Sequence, residues 1–462
     1  MVPHKENRAQ LSLLPTLEDL LSRKNALYQL SKVVDWGRFE KAFLPLYSEK
    51  TGAPAKPIRR MVGLLVLKHV RNLSDERVVE EWMENAYFQY FCGEVLLAHG
   101  APCEASELVH FRQRIGEAGM ELILSESIRI QSDDLQQDGG EVTVDTTVQH
   151  KDITFPTDDK LYRKIASKCV GIAQKEGVKL RQTYTKTLKN LRYQQRPGRT
   201  KAKMAAVKKA NRRVKVIAGY LVRELIRKLP DGVFEKHLAE IDLFLRVLEQ
   251  KRSDSNKVYS LHEPHVKCIA KGKAHPKYEF GSKVSLALGK QSGIVVGALN
   301  FPDNPYDGHT LPDVLEQVEK LTGERPQKAI CDLGYRGKKQ VGTTAIVLPS
   351  DLQKAKPKDK PSLRRDLKRR AAIEAHISHE KRAFRLGRNF YKGILGDQVN
   401  ILLAAAAANF ARWMRLKADS LWAFLTLLRR TANALALGFM ALSNFLPFTI
   451  NQSFSQKPKM SF

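Results

Sequence analysis

A chain of 462 residues can bury a large core and hold two or three domains, and its 78 Lys and Arg against 49 Asp and Glu leave a formal charge of +29 that favours a polyanionic partner such as nucleic acid. Five scattered cysteines, Cys92, Cys103, Cys169, Cys268 and Cys331, exclude a disulfide framework and fit a reducing cytoplasm. The N-terminal MVPHKENRAQ has no apolar core and excludes a signal peptide there.

Residues 1–135 read as helical. Ile58 to Val70 is an apolar helix, Asn72-Leu73-Ser74 a turn whose serine caps a second helix from Asp75 through Trp82 to Cys92-Gly93. So short a turn fits a helix-turn-helix-like DNA module, and an ordinary helical bundle fits equally. A later helix, Glu107 to Ile130, carries His110, Arg112, Gln113 and Arg114, which could reach a DNA backbone. After Gly139-Gly140, alternating Val142, Val144, Thr146 and Val148 predict a strand with Asp145 inside it. From about 157 to 258 the chain turns basic and helical, with a break at Gln195-Arg196-Pro197-Gly198, and reads as an insertion into the sheet. Between Leu161 and Lys228 stand 21 Lys and Arg against two acids, Glu176 and Glu224, which holds 19 of the 29 excess charges and points to nucleic-acid contact.

Strands resume at Tyr278–Leu288 and Ile294–Phe301 around a Gly289–Gly293 hairpin turn. Thr310 and Asp313 frame Pro312 as the first turn of a helix that ends by Thr322-Gly323, while Asp307 before it reads as a residue of the helix start. Ala329–Asp332 and Thr344–Leu348 are short strands, and 351–362 (DLQKAKPKDKPS) is a Lys/Pro-rich loop expected to order on DNA. Residues 363–386 form a helix with Glu374 near its middle. The tail from Ala432 to Ile450 is apolar but interrupted by Gly438, Asn444 and Pro447, which favours a packing or interfacial helix over a membrane span.

Three acids stand out from this pass: Asp145 and Asp332 on strands, Glu374 on a helix. A carboxylate ending an apolar strand is costly unless something pairs with it, and three together make hard oxygen ligands for Mg²⁺. Two such ions about 4 Å apart activate an attacking oxygen and stabilise a leaving one. At about 100° per residue, Arg370 and Lys381 fall within about 40° of Glu374 and would hold phosphates beside it. His376 projects about 200° away from Glu374. Tyr335 and Arg336, just past the second acid, could stack on a base or bind a phosphate, or equally be a packed ring and a surface cation. His262-x2-His265-x2-Cys268 lacks a fourth ligand for zinc and reads as ordinary polar residues.

On the segments VTVDTTV, DLGYRG and Arg370-x3-Glu374-x6-Lys381, the chain resembles the bacterial insertion-sequence transposases of the DDE type, many of which carry a Tyr-x2-Arg-x3-Glu-x6-Lys signature. Leu367 stands where that signature has tyrosine, which bears on one DNA contact and not on the metal site. ITFPTDDKLYRK, KCIAKGKAHPKYEFGSKVSLAL and NPYDGHTLPDVLEQ extend the likeness over roughly residues 55–415. The resemblance implies an α/β fold: an RNase H-like mixed sheet over 136–415, interrupted by the basic helical insertion, preceded by an all-helical DNA-binding region (1–135) and followed by a helical tail (416–462). It implies Mg²⁺, with Mn²⁺ as a substitute, two ions per site, with Asp145 bridging both and Asp332 and Glu374 completing one each. Arg370, Lys381, Arg336 and Tyr335 are then the expected DNA contacts. The expected substrates are double-stranded terminal inverted repeats and target DNA, cut and rejoined by a cytoplasmic homodimer on paired ends, with no membrane partner. Two alternatives stand beside this: an RNase H-like nuclease without strand transfer, and an inactive relic that only binds DNA.

Overall fold

The computed structural model describes residues 15–48, 52–196, 199–270 and 277–443, with side chains through residue 418. It opens with helices α1 (Leu17–Leu20), α2 (Ala26–Val33), α3 (Trp36–Phe43), α4 (Ile58–Val70), α5 (Asp75–Glu84), α6 (Ala86–Phe91), α7 (Ala105–Arg129) and α8 (Ser132–Gln136). Local chemistry sets several of these boundaries. The Ser74 hydroxyl accepts from the Arg77 amide and caps α5 as expected, while Asn85 both ends α5 and caps α6, so the expected single second helix is two. No residue of α4 is exposed, so it has no free side to lay on a duplex; α5 is the member of the pair with an open one. Arg112 corrects a further expectation. Rather than reaching outward to DNA, it is buried, forks onto both carboxylate oxygens of Asp75 at 2.7 and 2.8 Å, and lies 4.4 Å over the Tyr391 ring.

The sheet begins with β1 (Glu141–Lys151). Four helices follow, α9 (Asp158–Lys175), α10 (Thr185–Gln194), α11 (Lys201–Lys228) and α12 (Asp231–Glu249), which enclose a core of their own around Ile165, Cys169, Ile217, Leu221 and Phe244. Then come β2 (Lys267–Ala270), β3 (Tyr278–Gly289), β4 (Val295–Phe301), α13 (Asp307–Thr322), β5 (Lys328–Ile330), β6 (Gln340–Val341), β7 (Thr344–Val347), α14 (Asp351–Lys354), α15 (Lys360–Ala383), β8 (Arg388–Asn389) and α16 (Gly393–Ser443). Two boundaries differ from expectation. Helix α13 starts at Asp307 and carries Pro312 inside it, because a proline at the sixth position forfeits only one early backbone bond. The expected 351–362 loop is largely helical, with Pro361 in the first turn of α15, where its missing amide proton has no helical role.

The strands lie in the order β2-β3-β1-β5-β7-β6, with β4 on β3 and β8 on β1. β1 runs antiparallel to β3 and parallel to β5, giving the mixed α/β sheet that was expected, preceded by helices and interrupted by the helical insertion. On its β5 side, β1 pairs at 141–143 with β5 and at 150–151 with β8, so neither strand covers residues 144–149. One hydrophobic core joins the N-terminal helices, the sheet and α16, running from Leu27 to Trp413 without a break near residue 135.

Among the described residues one helical stretch, Gly393–Ala418, is long and apolar enough to cross a membrane, but 78% of its apolar window is buried in protein. Asn409 fastens it to the sheet by accepting from the Val295 amide at 2.8 Å and donating to the Val295 carbonyl at 2.9 Å. The Ala432–Ile450 segment enters the backbone of this helix up to Ser443; its side chains and residues 444–450 lie outside the described residues.

Where β1, β2 and β3 meet, Gly281 has no room for a side chain: a Cβ there would stand 1.9 Å from the Gln149 carbonyl oxygen. Gly281→Ala should therefore force the strands apart and lower stability by about 3 kcal/mol, read as a reduced urea midpoint.

Candidate active site

Asp145 and Asp332 are brought together by strand register. Thr143 pairs with Ile330 at the last rung of the parallel β1–β5 ladder, and each acid lies two residues past its member of that rung, so both stand just beyond the same end of the ladder. There β5 ends: Asp332 turns the chain into a short helical turn, its own carboxylate accepting from the Gly334 amide at 2.8 Å. The two acids thus face the stretch of β1 that β5 leaves uncovered, the place where parallel sheets open a crevice at the strand ends.

Helix α15 delivers the third acid. Lys290, from the β3–β4 turn, and Lys328, on β5, both bind Glu141 at the start of β1 and Asp366 in α15. Burial acts to raise the Glu141 carboxyl, but hydrogen bonds from the two ammonium groups outweigh it and hold it below its ordinary value. Asp366, Arg370 and Glu374 follow at four-residue steps and share one side of the helix, while Ile373 and Ile377 bury the adjoining side. The clamp on Asp366 therefore aims Arg370 at the first acid.

Arg370 joins the set. One guanidinium nitrogen lies 3.9 Å from Asp145 Oδ2 and the other donates to Glu374 Oε1 at 3.2 Å. Its Nη1 is buried with no hydrogen-bond acceptor. The Glu374 side chain is 70% exposed. Burial pushes the Cys331 thiol up, and the charges of Asp332 and Asp145 push it further.

Asp307 is the member that sequence reasoning left at the helix start. It does open α13, but its carboxylate also turns toward the site. Oδ1 accepts from Thr146 Oγ1 at 2.9 Å and from Lys283 Nζ at 2.8 Å. A Cβ on Gly334 would lie 2.7 Å from Asp307 Oδ2 and 2.9 Å from Asp332 Oδ1, so only glycine lets these two acids approach. Its sequence signal was weak: a lone Asp before a helix reads first as a cap.

Two expected DNA contacts part company here. Arg336 is exposed just past the turn. Tyr335 is 1% exposed, its ring packed in the core, so the base-stacking expectation gives way to the packed alternative. Lys381 sits in the last turn of α15, partly exposed. His376 turns away from Glu374 as expected and lies against Gly293. His265 meets Asp397 at 3.0 Å and His262 meets Ser260 at 2.9 Å, so the histidines of that segment have partners of their own.

The donor set suits a hard divalent cation: carboxylate oxygens from β1, from the turn after β5 and from a facing helix. Among the described residues, no three His, Cys, Asp or Glu side chains stand close enough to hold one ion together. The exposed Glu374 is the acid with room to swing inward.

Residues 15–114 match the family model described as a transposase domain, and residues 252–410 match the one described as a transposase DDE domain. The second contains Asp332 and Glu374; Asp145 lies between the two. A Rhizobium meliloti protein described as "Uncharacterized protein ORF8 in nfe locus" is 44% identical over 176 residues, 37% of this chain and 84% of that protein. No solved structure matches the chain.

Proposed function

Because the chain belongs to the DDE transposases, enzymes of the polynucleotidyl-transferase type that act on DNA, we propose that it cuts the ends of an insertion sequence and joins them to target DNA with Mg²⁺ or Mn²⁺. The observation that supports this reading is that Asp145 and Asp332 each lie two residues past the last β1–β5 rung, with Arg370 reaching from the first to Glu374.

The chain's own residues divide the work. Asp145 and Asp332, at the end of the β1–β5 ladder, and Glu374, carried by α15, would hold the divalent ions. Those ions, when bound, make an attacking oxygen more nucleophilic and offset charge on the phosphate. Arg370, held in place through Asp366, reaches a phosphate laid across the acids. Lys381 lies seven residues beyond Glu374, about 10 Å further along the same side of the helix, where the strand leaving the site passes. Arg336, exposed just past the second acid, is open to the same DNA. Processing two ends together calls for a second copy, so a homodimer on paired inverted repeats is part of the proposal. Its place in a bacterial cell is the cytoplasm, at the nucleoid.

The test is a transfer assay with purified protein, labelled terminal repeats from the genomic flanks, and a plasmid target in Mg²⁺. Joined product is the expected outcome. Cut ends with no joined product would leave a nuclease, and an absence of nicking in both Mg²⁺ and Mn²⁺ would overturn the enzymatic reading.

A further inference from the structure

The insertion carries most of the excess charge, and its structure shows how that charge is aimed. Helix α11 buries Ala210, Val214, Ile217, Ala218, Leu221 and Leu225 in the insertion's own core. At about 100° per residue, Lys201, Lys208, Arg212, Lys215 and Arg223 all fall within about 40° of a single line, and that line runs on the opposite side of the helix. All five are exposed. Among the described residues none of the five pairs with an acid, and the sole acid of α11, Glu224, is taken by Lys228 and the Arg181 amide.

An ordinary solvated helix intersperses signs. Here like charges stand three and four residues apart, at Lys208–Arg212 and Arg212–Lys215, each pair costing a few tenths of a kcal/mol in the free protein. The stripe from Lys201 to Arg223 spans about 33 Å, close to the roughly 34 Å of one duplex turn. A membrane surface would require an apolar side to insert, and the apolar side of α11 is already spent on the insertion core. Single strands call for aromatic platforms, but no aromatic residue lies on the line; Tyr220 stands beside it with Arg223 5.2 Å over its ring.

We infer that the outer stripe of α11 is a sequence-independent ridge for the phosphates of duplex DNA, separate from the contacts that select the element ends. This rests on the reading of the chain as an enzyme acting on DNA. The ridge holds flanking or target duplex by charge alone, so its contribution is equal on any sequence and falls with salt.

The experiment uses the full chain with Lys208→Gln, Arg212→Gln, Lys215→Gln and Arg223→Gln combined, against the parent and a Lys208→Arg/Lys215→Arg variant. Affinity for terminal-repeat duplex and for unrelated duplex is measured from low salt to about 0.3 M. The expected result is a shallower slope of log affinity against log salt, by about 3, on both duplexes alike, with the arginine variant keeping the parent slope. Circular dichroism should show the glutamine variant folded and no less stable, since it loses like-charge contacts. An unchanged slope overturns the inference, as does a loss confined to the repeat sequence. Nicking of repeat DNA by the parent is scored in parallel. If the parent fails to nick, the enzymatic reading falls; if it nicks and the slope does not change, only the ridge falls.

Discussion

Asp145→Asn is expected to lower Mg²⁺-dependent nicking of terminal-repeat DNA by at least about 10³-fold, the loss that corresponds to roughly 4 kcal/mol of transition-state stabilisation. Asparagine keeps the shape of the side chain but removes the charge that a divalent ion needs, and Asp145 is the acid fixed most firmly, inside a strand paired on both sides at its start. DNA affinity should not fall, because the substitution takes a negative charge away from a surface that receives phosphates. The ion pair with Arg370, at 3.9 Å, is long enough that its loss should leave the fold intact. Parallel nicking and gel-shift measurements check both parts. A variant that nicks within tenfold of the parent would remove Asp145 from the site and with it the bridging role assigned to the first acid.

The second large effect lies elsewhere on the same helix and concerns stability. Glu380 is fully buried on the Ile373–Ile377 side of α15, and neither carboxylate oxygen has a hydrogen-bond partner. Burial pushes its carboxyl up to about 8 from an ordinary 4.5. The sign follows directly. Between those two values the folded protein keeps a proton that the unfolded chain gives up, so stability is greatest at low pH in this window and declines as pH rises through it. At about 1.4 kcal/mol per pH unit, the decline amounts to roughly 4 kcal/mol by pH 8. Glu380→Met, which keeps the length and removes the charge, should therefore raise stability at pH 8 by about 2–4 kcal/mol and leave it nearly unchanged near pH 5. Thermal unfolding of both proteins at several pH values checks this. A gap between them that does not widen with pH would show that the carboxyl is not held neutral in the core.

Much of this protein could be read locally. Ile58–Val70 was bounded to the residue, because Asn72-Leu73-Ser74 follows an unbroken apolar run and the cap acts on its own neighbours. β1 was equally clear from Gly139-Gly140 and the alternation after it, and the insertion from its charge and its lack of strand pattern. The strands β2, β6 and β8 were missed for the converse reason. They are two to four residues long, and what makes them strands is pairing with residues far away. Arg112 was misjudged, and Tyr335 was left open between a stacking and a packed ring, because residue type says nothing of which side of an element is covered.

The sequence by itself determined the kind of residue at each post: two acids on strands, one on a helix with Arg370 and Lys381 on its side, and a basic helical insertion with a one-signed surface. Periodicity and punctuation suffice for that, since they act within a few residues. Only the tertiary structure decided that Asp145 and Asp332 both lie just past the last β1–β5 rung, that β5 leaves β1 uncovered from there, and that Arg370 ties the first acid to Glu374. It also decided that Asp307 turns toward Asp332 past a glycine. Each of these depends on strand register and on a helix seated by Lys290 and Lys328, interactions between residues distant in the chain, which no local pattern encodes.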